Sequence, residues 1–251
     1  MIAFPIRPPV KGLPGGAYAL AWALTWFVAP AQGALSLSQS RIVYPSDQRN
    51  VALVVSNPSK NTWAAQTWVN TAADDTSTPV PFMATPPLFR LDPGADQQVR
   101  ISALPGELPK DRETLFYFNV QEIPSVDGDS QNVLSIALRT RIKVFYRPVE
   151  IRDNPLKRLG DLTWSMHLRN GRPELVVNNP TPFHVTFSRL QVIAGERVET
   201  VKMPAMSAPF TEQAYPLKAL RAGATPQVRY TAINDYGAAT APLTRPIALS
   251  P

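Results

Sequence analysis

Within Val133 to Pro148, VLSIALRTRIKVFYRP, hydrophobic and polar positions alternate strictly through the first half. Leu134, Ile136, Leu138, Thr140 and Ile142 fall on one side, and Ser135, Ala137, Arg139, Arg141 and Lys143 on the other. A period of two sustained this long predicts a single strand with one apolar and one polar face. Pattern leaves two readings open. The strand can sit mid-sheet with its apolar row in its own core, or part of that row can be held out at a sheet edge for another chain.

The rest of the chain reads in the same style. Leu35 to Tyr44 is a first strand, stopped by Pro45-Ser46-Asp47; Arg41 lies inside it and by itself reads as a residue on a solvated face. Val51 to Asn57 and Thr62 to Asn70 are expected to pair across the turn signal Asn57-Pro58-Ser59. Residues 71–79 form a loop in which Asp74 and Asp75 read as solvated acids. Pro86-Pro87 interrupts the stretch from Phe82 to Ile101, and Thr85-Pro86 is a candidate cis bond. Asp92-Pro93-Gly94 is a turn, and Gln97 to Ser102 a further strand. Glu113 to Glu122 is an aromatic strand, and the short loop 125–132 delivers the chain into the alternating segment.

After Arg147-Pro148, residues 149–160 carry Asp153-Asn154-Pro155 and Gly160 and read as an interdomain linker. The second half then repeats the pattern through Leu162–Arg169, Glu174–Asn178, Phe183–Ile193, Val198–Lys202 and Val228–Ile233, with Asn234 to Gly237 as a turn. About seven short strands per half at roughly 8–12 residue spacing predict an all-β chain of two tandem β-sandwiches.

Composition sharpens this. A chain of 251 residues suits two domains of about 100–120 residues each, and 27 Pro with 12 Gly favour strands joined by turns. Residues 17–29 (AYALAWALTWFVA) form an apolar segment behind Arg7 and Lys11, followed by Ala31-Gln32-Gly33 in small-x-small form. This predicts a cleavable export signal over 1–33 and a mature chain starting near Ala34. Thirteen apolar residues are short for a span, and no later stretch approaches the roughly 18 that a membrane helix needs. Without its signal the chain holds 23 basic and 19 acidic residues, with no basic run, so nucleic acid is not expected as a partner. There is no Cys, so an exported chain of this kind relies on packing and has no thiol chemistry.

Candidate chemistry is sparse. The two His, His167 and His184, fall in separate strands without a carboxylate cluster, which disfavours a metal site. No Gly-x-Ser-x-Gly elbow and no phosphate-binding loop occurs. Neither an enzyme nor a bound cofactor is expected.

Seven motifs in order, SRIVYP (40–45), NPS (57–59), TPPLFRLDPG (85–94), LPKDRETLFYFNVQEIP (108–124), LSIALRTRIKVFYRP (134–148), NNPTPF (178–183) and INDYGA (233–238), resemble the PapD-like periplasmic pilus chaperones. The resemblance covers nearly all of the chain after the signal. It implies two immunoglobulin-like sandwiches set at an angle around a cleft, over 34–152 and 153–251. It implies a periplasmic chaperone that lends an edge strand to pilus subunits by β-augmentation, with Leu134, Ile136 and Leu138 as the donated apolar row. Arg41 and Lys143 match the cleft pair that anchors the subunit's C-terminal carboxylate, which revises the solvated reading of Arg41. Glu113, Arg147 and Asp235 match an interdomain salt bridge, and Pro86 a cis-proline position. The implied partners are pilus subunits and an outer-membrane usher, with a self-capping homodimer as the guess for the free protein. The short loop 125–132 resembles the subtype that serves rod-forming pili. The competing readings are a structural pilus or adhesin component, although such proteins are usually single domains with an N-terminal donor extension, and another two-domain β-sandwich binding protein, for which exposed aromatics with paired acids are not evident.

Overall fold

A computed structural model describes residues 35–75, 77–123, 137–218 and 225–249 of the chain. The segment Leu35 to Tyr44, expected as one strand, is two. Its first piece, β1 (Ser36–Leu37), pairs with β3 (Asn50–Ser56) in one sheet, while β2 (Arg41–Pro45) belongs to the sheet opposite. Polar Ser38 to Ser40 makes the crossing, and Ser38 is held by both backbone groups of Val54 at 3.0 Å. β3 and β4 (Trp63–Asn70), expected to pair with one another, also lie in different sheets. The turn between them is built on Asn57, 1% exposed, whose amide donates to the carbonyls of Asn61, Leu91 and Asp92. An Asn spent on three carbonyls turns the chain out of its sheet instead of into a hairpin.

The first sandwich faces β1-β3-β7-β5 against β2-β9-β8-β4-β6, where β5 is Phe82–Thr85, β6 Leu88–Leu91, β7 Asp96–Ala103, β8 Thr114–Ile123 and β9 Arg139–Arg147. Thr85-Pro86 is cis, and sits where the chain passes from β5 in one sheet to β6 in the other. The sheets close on Tyr44, Leu53, Val55, Val99, Ile101, Phe118 and Val144, all fully buried. Each such side chain stabilises by about 1.5–3 kcal/mol relative to exposure. Tyr44 adds a polar tie across the core, its hydroxyl accepting from Ala103 N–H at 3.0 Å.

The second sandwich faces β14-β11-β10-β17 against β13-β12-β15-β16. Here β10 is Thr163–Arg169, β11 Arg172–Asn179, β12 Phe187–Ala194, β13 Arg197–Thr200, β14 Thr211–Pro216, β15 Gln227–Ala232, β16 Leu243–Pro246 and β17 Ala248–Leu249. The strand expected from Phe183 starts only at Phe187; before it, Val185 makes an isolated bridge to Ser207. Asn179 repeats the device of Asn57, donating to Phe183 and Ala208 carbonyls at 2.8 and 2.9 Å. The connecting stretch is not plain linker. It contains one helical turn, α1 (Pro155–Arg158), with Asn154 accepting from Leu156 N–H at 2.9 Å and Pro155 at the first helical position. No helix among the described residues is long and apolar enough to cross a membrane.

Candidate functional site: a cationic cleft beside an open strand edge

β9 is paired on both sides only over part of its length. β8 runs antiparallel to it from Arg139 to Tyr146, whereas β2 covers only Lys143 to Arg147 on its other side. Among the described residues nothing pairs that other side over Arg139 to Ile142. The side chains change character at the same point. Ile142 and Val144 are buried in the first core, while Thr140 and Leu138 carry the same parity past it; Leu138 is 49% exposed. The apolar row is therefore the core-facing row of β9, continued beyond its own sandwich. Leu134 and Ile136 lie outside the described residues, as does the loop 125–132.

Polar contacts fix the entry to this edge. Glu122 N–H donates to the Leu138 carbonyl at 2.9 Å, and Arg139 donates to Asn119 Oδ1 through Nε at 3.0 Å and Nη2 at 2.6 Å. Arg139 also pairs with Asp74 and lies over the Trp68 ring at 5.0 Å. Arg141 covers Tyr117 at 3.8 Å and donates to the Thr71 carbonyl. Asp74, read from sequence as a solvated loop acid, is held below the usual carboxylate range by its bonds from Arg139 and Asn70. It takes a left-handed backbone, φ 61°, to reach them.

At the covered end of β9 the parallel register sets Arg41 beside Lys143. Both side chains reach the second sandwich. Arg41 Nη1 donates to the Ile233 carbonyl at 3.3 Å, and Lys143 Nζ to Thr186 Oγ1 at 3.1 Å. The Arg41 guanidinium lies 5.9 Å from the centre of the Phe145 ring, and its Nε is buried without a partner among the described residues. Burial, and then the Arg41 charge, pull the Lys143 ammonium down to about 8. Burial also lowers Arg41, opposed by the more distant Asp235 carboxylate. Neither cation has an ion-pair partner among the described residues. Two adjacent, partly dehydrated cations with spare donors favour an incoming anion, and a carboxylate offers enough lone pairs for both.

Deeper in the cleft Glu113, Arg147 and Asp235 come together. Arg147 Nε donates to Glu113 Oε1 at 2.8 Å, and its Nη1 and Nη2 grip Asp235 at 2.7 and 2.9 Å. Glu113 is 4% exposed, and its second oxygen accepts from His184 N–H at 2.8 Å. The His184 imidazole lies 3.3 Å from the same oxygen and 5.6 Å from the Phe145 ring. Asp235 sits in the turn closed by Gly237, at φ 86°, where an added Cβ would come within 2.3 Å of Ser40 Oγ in the first sandwich. His184 and Thr186 were missed from the sequence; strand propensity gave no signal that they face the cleft.

Comparisons with known proteins identify the family. The family described as "Pili and flagellar-assembly chaperone, PapD N-terminal domain" matches residues 34–152, and "Pili assembly chaperone PapD, C-terminal domain" matches 157–243. The chain belongs to the PapD-like pilus-assembly chaperones. It is 36% identical over 212 residues to the probable fimbrial chaperone YadV of Escherichia coli K12, covering 81% of this chain and 86% of that one. The YadV crystal structure superposes with a TM-score of 0.74 at 34% identity, over 85% of this chain and all of the other. Chaperone protein PapD of Escherichia coli is 38% identical over 218 residues, 84% of this chain and 85% of its own. The SafB chaperone, solved in complex with the Salmonella enterica SafA pilin, matches at TM-score 0.72 and 26% identity, covering 87% and 98%. As a PapD-like chaperone the protein serves pilus assembly, and its two sandwiches are the immunoglobulin-like pair of that family.

Proposed function

We propose that this PapD-like chaperone captures a pilus subunit along the open edge of β9 and anchors the subunit's C-terminal carboxylate between Arg41 and Lys143. The observation that carries the reading is the in-register cation pair, unneutralised among the described residues, at the end of a strand whose neighbouring edge is unpaired. The subunit supplies the missing ladder, its groove takes Leu134, Ile136 and Leu138, and the carboxylate fixes the register. Three large apolar side chains supply about 5–9 kcal/mol of gross driving force, reduced by association and ordering costs. Glu113, Arg147 and Asp235 hold the two sandwiches, over 34–152 and 153–251, in the geometry that keeps the cleft open. The chaperone works in the periplasm after removal of residues 1–33, passes its cargo to an outer-membrane usher, and covers its own edge as a dimer when free. No catalytic step is needed.

The test is co-expression with a subunit gene from the same cluster and recovery of the periplasmic complex. Wild type is expected to give a one-to-one complex. Arg41→Ala and Lys143→Ala each lose one charge-assisted hydrogen bond of about 1.5–3 kcal/mol, roughly a 10- to 150-fold weakening. Equal recovery by folded Lys143→Ala and wild type would remove the anchor from this cleft.

A further inference from the structure

β9 carries two cations, Arg139 and Arg141, beyond the one that subunit capture uses. With Lys143 they stand on one face of the strand at two-residue steps, each about 6.6 Å long. Arg139 lies over Trp68, and Arg141 over Tyr117, the residue opposite Lys143. A carboxylate reaching this face meets three cationic side chains in a row, and two of them are already taken. Asp74 Oδ2 accepts from Arg139 Nη1 at 3.2 Å and Oδ1 accepts from Arg139 Nη2, while Arg141 Nε lies 3.8 Å from Oδ1. Asn70 steadies the carboxylate by donating to Oδ1 at 2.8 Å, and its own oxygen accepts from Asn119 of β8 at 3.0 Å.

The row matters because a strand repeats every two residues. A subunit displaced outward along the edge by two keeps each side chain on its side and remakes its backbone bonds, leaving pocket fit and the anchor to separate the registers. Inward displacement is blocked, since β2 occupies the edge from Lys143 onward. Outward, a free Arg141 would offer the chain-end carboxylate a second anchor. We infer that Asp74 is a register-determining residue: it neutralises Arg139 and Arg141, so that among the described residues of this face the subunit's end finds unneutralised cations only at Arg41 and Lys143. The correct register is thereby favoured by removing the competing anchor as well as by supplying the right one. The inference rests on the carboxylate-anchor reading of the cleft.

The probe is a synthetic peptide of the C-terminal strand of a subunit encoded in the same cluster, as free acid and as C-terminal amide. Both are titrated against chaperone purified from expression of the full-length gene. Wild type is expected to favour the acid, and Lys143→Ala to cut that preference about tenfold or more. Adding Asp74→Asn to Lys143→Ala frees the arginines and is expected to raise the preference again about tenfold. Asp75→Asn removes the same charge one residue on, from an acid bonded to Thr78, and is expected to restore nothing. No regain with Asp74→Asn, or an equal regain with Asp75→Asn, overturns the inference and leaves the anchor standing. A wild type indifferent to acid and amide removes the anchor itself, and the inference with it. Asn and Gly both tolerate the left-handed backbone of residue 74, so Asp74→Gly takes its place should Asp74→Asn not fold.

Discussion

Lys143 is held charged with only a hydroxyl, Thr186, as its partner and Arg41 beside it, so replacing it should make the chaperone more stable and less able to work. The ammonium falls from the ordinary 10.5 to about 8 through burial and the neighbouring Arg41. At about 1.4 kcal/mol per pH unit this costs on the order of 3 kcal/mol at pH 7. Solvent at a half-buried amine discounts it to about 1–2 kcal/mol. Lys143→Met keeps the stem and removes the charge. Between about pH 8 and 10.5 the unfolded chain holds a proton that the folded chain has released, so wild-type stability rises with pH across that window. The variant lacks this term. Urea unfolding of both proteins is therefore expected to show the variant ahead by about 1–2 kcal/mol at pH 7, with the gap shrinking above pH 8. Other titrating groups are common to both proteins and cancel in the difference. A variant no more stable at pH 7, or a gap independent of pH, refutes the reasoning.

Subunit affinity should fall as pH rises through about 8, because the free chaperone must first take up a proton at Lys143, by up to tenfold per pH unit; calorimetry in buffers of different ionisation heat measures that uptake. Glu113→Gln removes one of the two carboxylates on Arg147 and should cost about 2–3 kcal/mol. A double-mutant cycle with Asp235→Asn should be non-additive by more than 0.5 kcal/mol, about the limit for independent sites. Gly237→Ala combines a left-handed φ with a close approach to Ser40, so a loss of about 1–3 kcal/mol is expected, partly restored by Ser40→Gly, in thermal unfolding. Arg139→Ala should speed hydrogen exchange about tenfold at the amides of Thr140 and Ile142, which face β8, and spare the paired amides of 143–147, where β2 also covers the strand.

Alternation made the apolar row of β9 legible, because period two is a local property. Where that row leaves its own core is not local: it depends on β2 reaching back only to Lys143. The same limit explains the misread sheets. Nothing within Leu35 to Tyr44 says that its halves pair with strands from opposite sheets, and the turn at Asn57 reads like any hairpin turn until Leu91 and Asp92 are brought to it. Residue chemistry alone put Arg41 on a solvated face; only the ordered motifs of the family moved it to the cleft. Asp74, His184 and Thr186 stayed invisible because their partners lie 43 to 71 residues away.

The row that crosses from Val144 and Ile142 to Leu138 divides one strand between two owners. Substitutions on the inner portion are borne by the chaperone's own folding equilibrium. On the exposed portion that charge shifts to whichever cargo is bound, and the empty protein scarcely registers them. Client preference can therefore drift, or be re-engineered, at Leu138 while the scaffold's melting point stays where it was.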